Sequence, residues 1–227
     1  NAYKKATIFS PYSATSHYNL GVSLYYSGKV KESIRAYQDA VKNDPELADA
    51  YFNMGVAYQA LDSMEESIES YKMAISAQIN HSAAYNNLGI IYSDIGLSNK
   101  AIDCFENAIR FNPENDTAYF NMGKEYLILN NYDKTIEVLK KTINLNPNLA
   151  NAYYYLGLTY SDLDAYDEAI TYFKKALMID DTMIDAYEPL ATAYMMTDKL
   201  DDAIYCYKKY IEVNPNSAYT YFLLGST

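Results

Sequence analysis

The sequence predicts an all-α fold, a solenoid of helix-turn-helix hairpins, and three observations predict it. Segments 49–75 (DAYFNMGVAYQALDSMEESIESYKMAI), 83–109 (AAYNNLGIIYSDIGLSNKAIDCFENAI) and 117–143 (TAYFNMGKEYLILNNYDKTIEVLKKTI) are variants of one sentence, each 34 residues after the last. Within each copy the apolar residues recur at spacings of 3, 4, 7 and 8, which places them on one face of a helix. Each copy holds two such runs, parted by a residue of a type that ends helices.

The period runs without insertion or deletion through six repeats, 14–47, 48–81, 82–115, 116–149, 150–183 and 184–217. Positions are counted from the first residue of each repeat. The first run, helix A, carries His17, Tyr51, Tyr85, Tyr119, Tyr153 and Tyr187 at position 4, and Leu20, Met54, Leu88, Met122, Leu156 and Leu190 at position 7. Position 8 is Gly21, Gly55, Gly89, Gly123, Gly157 and then Ala191. A glycine inside a helix costs up to about 1 kcal/mol against alanine, so glycines in register imply that another helix must come close there. Position 15 holds Gly28, Asp62, Gly96, Asn130, Asp164 and Asp198, types that tolerate the left-handed conformation ending a helix. The second run, helix B, has isoleucine at position 21 in all six repeats, a small residue at 20, and Tyr37, Tyr71, Phe105, Leu139, Phe173 and Tyr207 at 24. Proline at position 32 (Pro45, Pro113, Pro147, Pro215) stops helix B, whereas Ile79 and Asp181 leave their turns less rigidly specified. Residues 1–13 fit the end of a preceding repeat, with Tyr3, Ala6 and Pro11 in phase. Residues 218–227 fit the start of another, with Tyr221, Leu224 and Gly225 in phase. The pattern therefore reads as part of a longer array.

Taken together, Leu-Gly at 7–8, tyrosine at 11, a small residue at 20, an aromatic at 24 and proline at 32 resemble the tetratricopeptide repeat. Tyrosine stands at position 4 for the family's tryptophan, and Tyr210 stands at position 27 for its alanine. The resemblance implies a right-handed superhelix with helix A on the concave side, exposing positions 2, 5, 6, 9, 12 and 13. Position 6 is Asn19, Asn53, Asn87 and Asn121, then Tyr155 and Pro189. An asparagine offers both a donor and an acceptor, so a ladder of them can pair with the backbone of an extended peptide whatever its side chains. This ladder resembles the one in the repeat domain of the O-linked N-acetylglucosamine transferases. Duplication of repeats would also copy an exposed asparagine. Beside the ladder, Tyr18, Phe52, Phe120 and Tyr154 at position 5 serve either as apolar anchor pockets or as packing between neighbouring A helices. Lys124 is the basic group predicted on this face, against Asp49, Asp94, Asp162, Asp185 and Glu188. Related repeat domains that grip a C-terminal carboxylate use a lysine at position 5, which is missing here. Pro189 costs little if its helix starts near Asp185 and kinks the helix if it starts earlier.

The net charge of −11 and pI near 4.6 disfavour nucleic acid and acidic membrane surfaces. Half the residues are hydrophobic, yet no apolar run approaches the roughly 18 residues of a membrane span. Cys104 and Cys206 occupy one repeat position three repeats apart, too far for a disulfide, and read as buried thiols in a reducing, cytoplasmic setting. His17 and His81 sit at unrelated repeat positions, so no metal site is expected. No catalytic constellation and no cofactor motif is present. Acidic pairs such as Glu65–Glu66 open B helices, where they suit the helix dipole. The expected function is a non-catalytic scaffold whose groove holds a neutral to basic peptide or a partner helix. The site residues are Asn19, Asn53, Asn87, Asn121, Phe52, Phe120, Tyr154 and Lys124. The alternatives are a substrate-selecting arm of a larger O-linked glycosyltransferase and a structural solenoid within a multi-subunit complex.

Overall fold

The computed structural model describes residues 2–226; Asn1 and Thr227, assigned by sequence to the partial repeats, lie outside the described residues. The described chain is helical throughout, with no strand. It forms two compact units, residues up to 115 and residues from 116 onward.

The first unit comprises α1 (Ala2–Phe9), α2 (Ala14–Tyr26), α3 (Val30–Asn43), α4 (Ala48–Gln59), α5 (Met64–Ala77), α6 (Ser82–Asp94) and α7 (Ser98–Phe111). The second comprises α8 (Asp116–Ile128), α9 (Tyr132–Leu145), α10 (Ala150–Asp162), α11 (Tyr166–Ile179), a 3₁₀ turn (Ile184–Ala186), α12 (Tyr187–Met196), α13 (Leu200–Val213) and α14 (Ala218–Ser226). Within each unit every helix packs on the next, most extensively inside the hairpins α2–α3, α4–α5, α6–α7, α8–α9, α10–α11 and α12–α13. Second neighbours α2–α4, α8–α10 and α10–α12 also touch, so A helices lie side by side. This is an all-α repeat solenoid. Among the described residues no helix is long and apolar enough to cross a membrane.

The close approach implied by the position-8 glycines is made by the position-24 side chain of the same hairpin. A methyl added to Gly21 would lie 2.5 Å from the Tyr37 ring, and one on Gly55 2.7 Å from Tyr71. The corresponding contacts are 2.6 Å for Gly89 with Phe105, 2.7 Å for Gly123 with Leu139 and 2.6 Å for Gly157 with Phe173. These position-24 side chains are almost wholly buried, and their burial removes about 1.5–3 kcal/mol worth of apolar surface each from water. Position 3, which the sequence reading passed over, is equally tight: Ala50, Ala84, Ala118, Ala152 and Ala186 are fully buried.

All six position-15 residues are left-handed, at φ 77° and 74° for Gly28 and Gly96 and 55–58° for Asp62, Asn130, Asp164 and Asp198. Each closes helix A with the same pair of bonds. After α2, Lys29 N–H donates to Leu24 O and Gly28 N–H to Tyr25 O, both at 2.9 Å, satisfying carbonyls the helix end would leave unpaired. The turn after helix B is also repeated. Asp44, Asn112, Asn146 and Asp180 each accept a bond, at 3.0–3.3 Å, from the N–H two residues on. Asp180 does so although Asp181 replaces the proline, and the Thr182 hydroxyl adds a second bond at 2.6 Å. Pro189 is the third residue of α12, where a missing N–H costs nothing, and the turn ahead of it tightens into 3₁₀ form.

Cys104 and Cys206 are buried free thiols. Burial raises them to about 11 and about 12 respectively, nearby Asp103 and Asp202 adding to the effect. Raised pKa values leave about 1 thiolate in 1,000 or fewer at pH 8, against about 1 in 4 for a free cysteine. Native-state alkylation by iodoacetamide at pH 8 is therefore expected to run at least about a hundredfold slower than in denaturant, as mass spectrometry over time would show. Gly89→Ala drives a methyl into Phe105 and is expected to lower the unfolding free energy by about 1–3 kcal/mol in urea titration. Gly225→Ala, which meets nothing within 4 Å, should not.

Candidate functional site

Within each unit, neighbouring A helices carry the residues at positions 5, 6 and 9. In the first unit Asn19 on α2, Asn53 on α4 and Asn87 on α6 are all half-buried. Asn53 Nδ2 donates to the Tyr18 hydroxyl at 3.0 Å, tying α4 to α2. Asn87 Nδ2 donates to the Tyr71 hydroxyl at 3.2 Å. That hydroxyl in turn donates to Gln59 Oε1, so it must accept from Asn87, which fixes the amide's orientation. Burial pushes the Tyr71 hydroxyl up, and the bonds from Asn87 and Ser67 pull it back in part. Neighbouring Asn86 stands at position 5, which is aromatic in Tyr18, Phe52, Phe120 and Tyr154. It is buried, donates to Asn87 Oδ1 at 3.4 Å, and its own carbonyl oxygen has no hydrogen-bond partner. An orphaned buried acceptor costs about 1–3 kcal/mol.

The position-5 rings of this unit lean on helix B. Tyr18 lies 6.1 Å from Tyr37, and Phe52 lies 5.7 Å from Tyr71. Phe52 is also 5.0 Å from the ring of His81. His81 caps α6, its Nδ1 accepting from Ala84 N–H at 3.2 Å, which leaves the ring proton on Nε2, 3.4 Å from Asp49. That Nε2 makes no hydrogen bond among the described residues, so Asp49 remains an exposed acid of this face. His17 turns elsewhere, its Nε2 2.9 Å from Pro11 O.

In the second unit Phe120, Asn121 and Lys124 stand on α8 and are half-buried. Phe120 meets Tyr155 edge-on at 5.6 Å, and Tyr155 meets Tyr154 edge-on at 5.5 Å. The Lys124 ammonium lies over the Phe120 ring at 5.8 Å, within cation–π range. Tyr154 rests on Phe173 at 5.9 Å.

Beyond this row lies a cleft of about 560 Å³. From α10 it is lined by Tyr154, Leu158, Ser161 and Asp162, and from α12 and the turn before it by Asp185, Glu188, Pro189 and Thr192. These are positions 2, 5, 6, 9, 12 and 13 of two consecutive A helices. Tyr166 and Tyr210 complete it. Tyr210 and Glu188 line it from opposite sides, and the Tyr210 hydroxyl is pushed up by burial and then by the Glu188 charge. Burial, followed by the charges of Asp185, Tyr155 and Glu188, pushes up Tyr154, and burial raises the Asp162 carboxyl. None of the lining residues is basic, and among the described residues Asp162, Asp185 and Glu188 form no ion pair. Among the described residues no group of three or more His, Cys, Asp or Glu is disposed to hold a metal.

Sequence reasoning selected the amides and rings but not what secures them. Gln59 and the Tyr71 hydroxyl had no signal in the repeat pattern, because position 24 accepts Tyr, Phe or Leu alike. Tyr210 had one, as the aromatic at a small-residue position.

Comparison with known proteins follows the same line. Tetratricopeptide repeat models match residues 82–115 and 150–183, 48–80, and 185–217, and a TPR repeat model matches 23–62 and 123–164. No curated protein matches the sequence. Among solved structures the chain is similar to MamA, at 32% identity and TM-score 0.67 over 71% of this chain and 94% of MamA. It is similar to YrrB, described as a TPR protein with an unusual peptide-binding site, at 22% identity and TM-score 0.73 over 83% of this chain and 97% of YrrB. It shares the fold of PilF from Pseudomonas aeruginosa at 16% identity and TM-score 0.80, covering all of both chains. With its hairpins, glycine contacts and left-handed caps already on this pattern, the chain belongs to the tetratricopeptide repeat family.

Proposed function

We propose that the chain is a non-catalytic binding module whose A-helix faces hold an extended segment of a partner protein. The observation that carries this is the fixing of Asn53 and Asn87 by tyrosine hydroxyls. One N–H of each amide is committed to the protein, and the other remains for a ligand together with acceptor capacity on the carbonyl oxygen. A side chain already held in one orientation loses little entropy when it binds. The buried, unsatisfied Asn86 adds weight, since polar groups left unpaired in a core accompany functional sites more readily than pure scaffolding. Within the first unit the half-buried ring of Phe52 would take an apolar side chain of the segment and Asn19 would extend the backbone contacts; within the second, Phe120, Tyr154 and Asn121 offer the same kinds of group. Lys124 would meet a carbonyl or carboxylate near Phe120. YrrB, a protein of the same fold, supports the reading by its described peptide-binding site.

Selection of a displayed random-dodecapeptide library on the chain tests it. Asn53→Ala and Asn87→Ala should each weaken a selected peptide about three- to tenfold, the worth of one hydrogen bond, with the circular dichroism unchanged. Selected peptides indifferent to both substitutions would overturn the reading. The chain's charge of −11 further predicts neutral to basic selected sequences, bound more weakly as salt is raised from 50 to 500 mM in calorimetry.

A further inference from the structure

The cleft between α10, α12 and α13 differs from the rest of the A-helix face. Its charge is wholly negative, its walls include the rings of Tyr154, Tyr166 and Tyr210, and no lysine or arginine of the chain lines it. Three carboxylates without a cation among the described residues repel one another, which favours a positive occupant. A bare metal ion is a poor match, since the acids are not clustered closely enough to ligate one. A larger, flatter cation suits acids spread around a cleft of about 560 Å³, within the usual range of about 300–1,000 Å³ for ligand sites.

We infer that this cleft is a specificity pocket for an arginine side chain of the bound segment, with Tyr210 and Glu188 as its selecting residues. The inference rests on the peptide-binding reading above and narrows it. A guanidinium stacks on tyrosine faces and offers five donors in a plane, which suits carboxylates on two helices; an ammonium is a strongly hydrated point charge without the flat face or the fork. Tyr210 is the element that makes the pocket particular to this repeat. Position 27 is fully buried alanine in Ala40, Ala74, Ala108 and Ala176, whereas here a ring reaches the cleft and lines it together with Glu188. Pro189 removes a backbone N–H from the wall, which leaves the carboxylates and hydroxyls as its polar groups.

The probe is the blocked peptide acetyl-Ala-Gly-Ser-Gly-Arg-Gly-Ser-Gly-Ala-amide, compared with versions carrying lysine or citrulline in place of arginine. Titrations followed by the ring resonances of Tyr154 and Tyr210 should show the arginine peptide binding at least tenfold tighter than the uncharged isostere citrulline and at least threefold tighter than lysine. Tyr210→Ala restores the residue other repeats use and should fold normally. It and Glu188→Gln should each weaken the arginine peptide at least fivefold and leave the citrulline peptide unaffected. Equal binding of the arginine and citrulline peptides, no binding of the arginine peptide up to 10 mM, or indifference to both substitutions would overturn the pocket. If the library peptides nonetheless respond to Asn53→Ala and Asn87→Ala, the wider peptide-binding reading survives that result; if they do not, both fall.

Discussion

The contact on which the rest of the structure depends is the one between the position-8 glycine of helix A and the position-24 side chain of helix B. At 2.5–2.7 Å from where a methyl would sit, the ring edge or leucine methyl occupies the space that only glycine leaves open. This sets the depth of the hairpin, and it also sets the rotation of helix A about its own axis. Successive residues turn by about 100°, so moving the glycine out of contact by one residue would swing the whole outward face by more than a quarter turn. Position 6, about 160° round the helix from position 8, faces outward because position 8 cannot face anywhere else, while the position-5 side chains lean back onto helix B. The chemistry of the open face is in this sense a consequence of a packing constraint on the opposite side of the same helix.

Two further devices keep the constraint in phase from repeat to repeat. The left-handed residue at position 15 ends helix A after a fixed length, and the bonded turn after helix B starts the next helix A. Asp62, Asn130, Asp164 and Asp198 accept a conformation glycine would take at less cost. Asp180 shows that the turn does not need proline, since a carboxylate bonded to the backbone two residues on and to a hydroxyl does the same work. Loop lengths are thereby identical, and a strict 34-residue period in sequence becomes a strict period in space within each unit.

The fold was legible in the sequence because each of these devices leaves a residue-type mark: glycine at 8, a bulky apolar residue at 24, a left-handed type at 15. The candidate site was only partly legible, for a physical reason. Which asparagine is held, and by what, depends on a single oxygen atom at positions where the core asks only for bulk. Tyr71 and Phe105 fill equivalent places against Gly55 and Gly89, but Tyr71 alone of the two has a hydroxyl, and with it anchors Asn87 and Gln59. Nor does the pattern reveal that Asn86, one residue away, is driven into the core with an unpaired carbonyl. Nor does its repeat position reveal that His81 caps α6, stacks beside Phe52 and faces Asp49.

The sixth repeat shows where the constraint gives way, and why that is informative. Ala191 replaces the position-8 glycine, Pro189 occupies the ladder position and Tyr210 replaces the position-27 alanine. Any one of these is a substitution a tolerant repeat could absorb. Their combination is harder to attribute to drift, because they meet around one feature. Tyr210 and Pro189 both line the cleft, and Ala191 sits fully buried on the same short helix, whose first turn has tightened to 3₁₀ form. Position 27 is a fully buried alanine in four other repeats, and here the ring is only half-buried and lines the cleft beside Glu188. This repeat departs from the others in its position-8 residue, its helix start and its position-27 residue, keeps Ala191 and Tyr207 fully buried, and carries a tyrosine-walled acidic hollow.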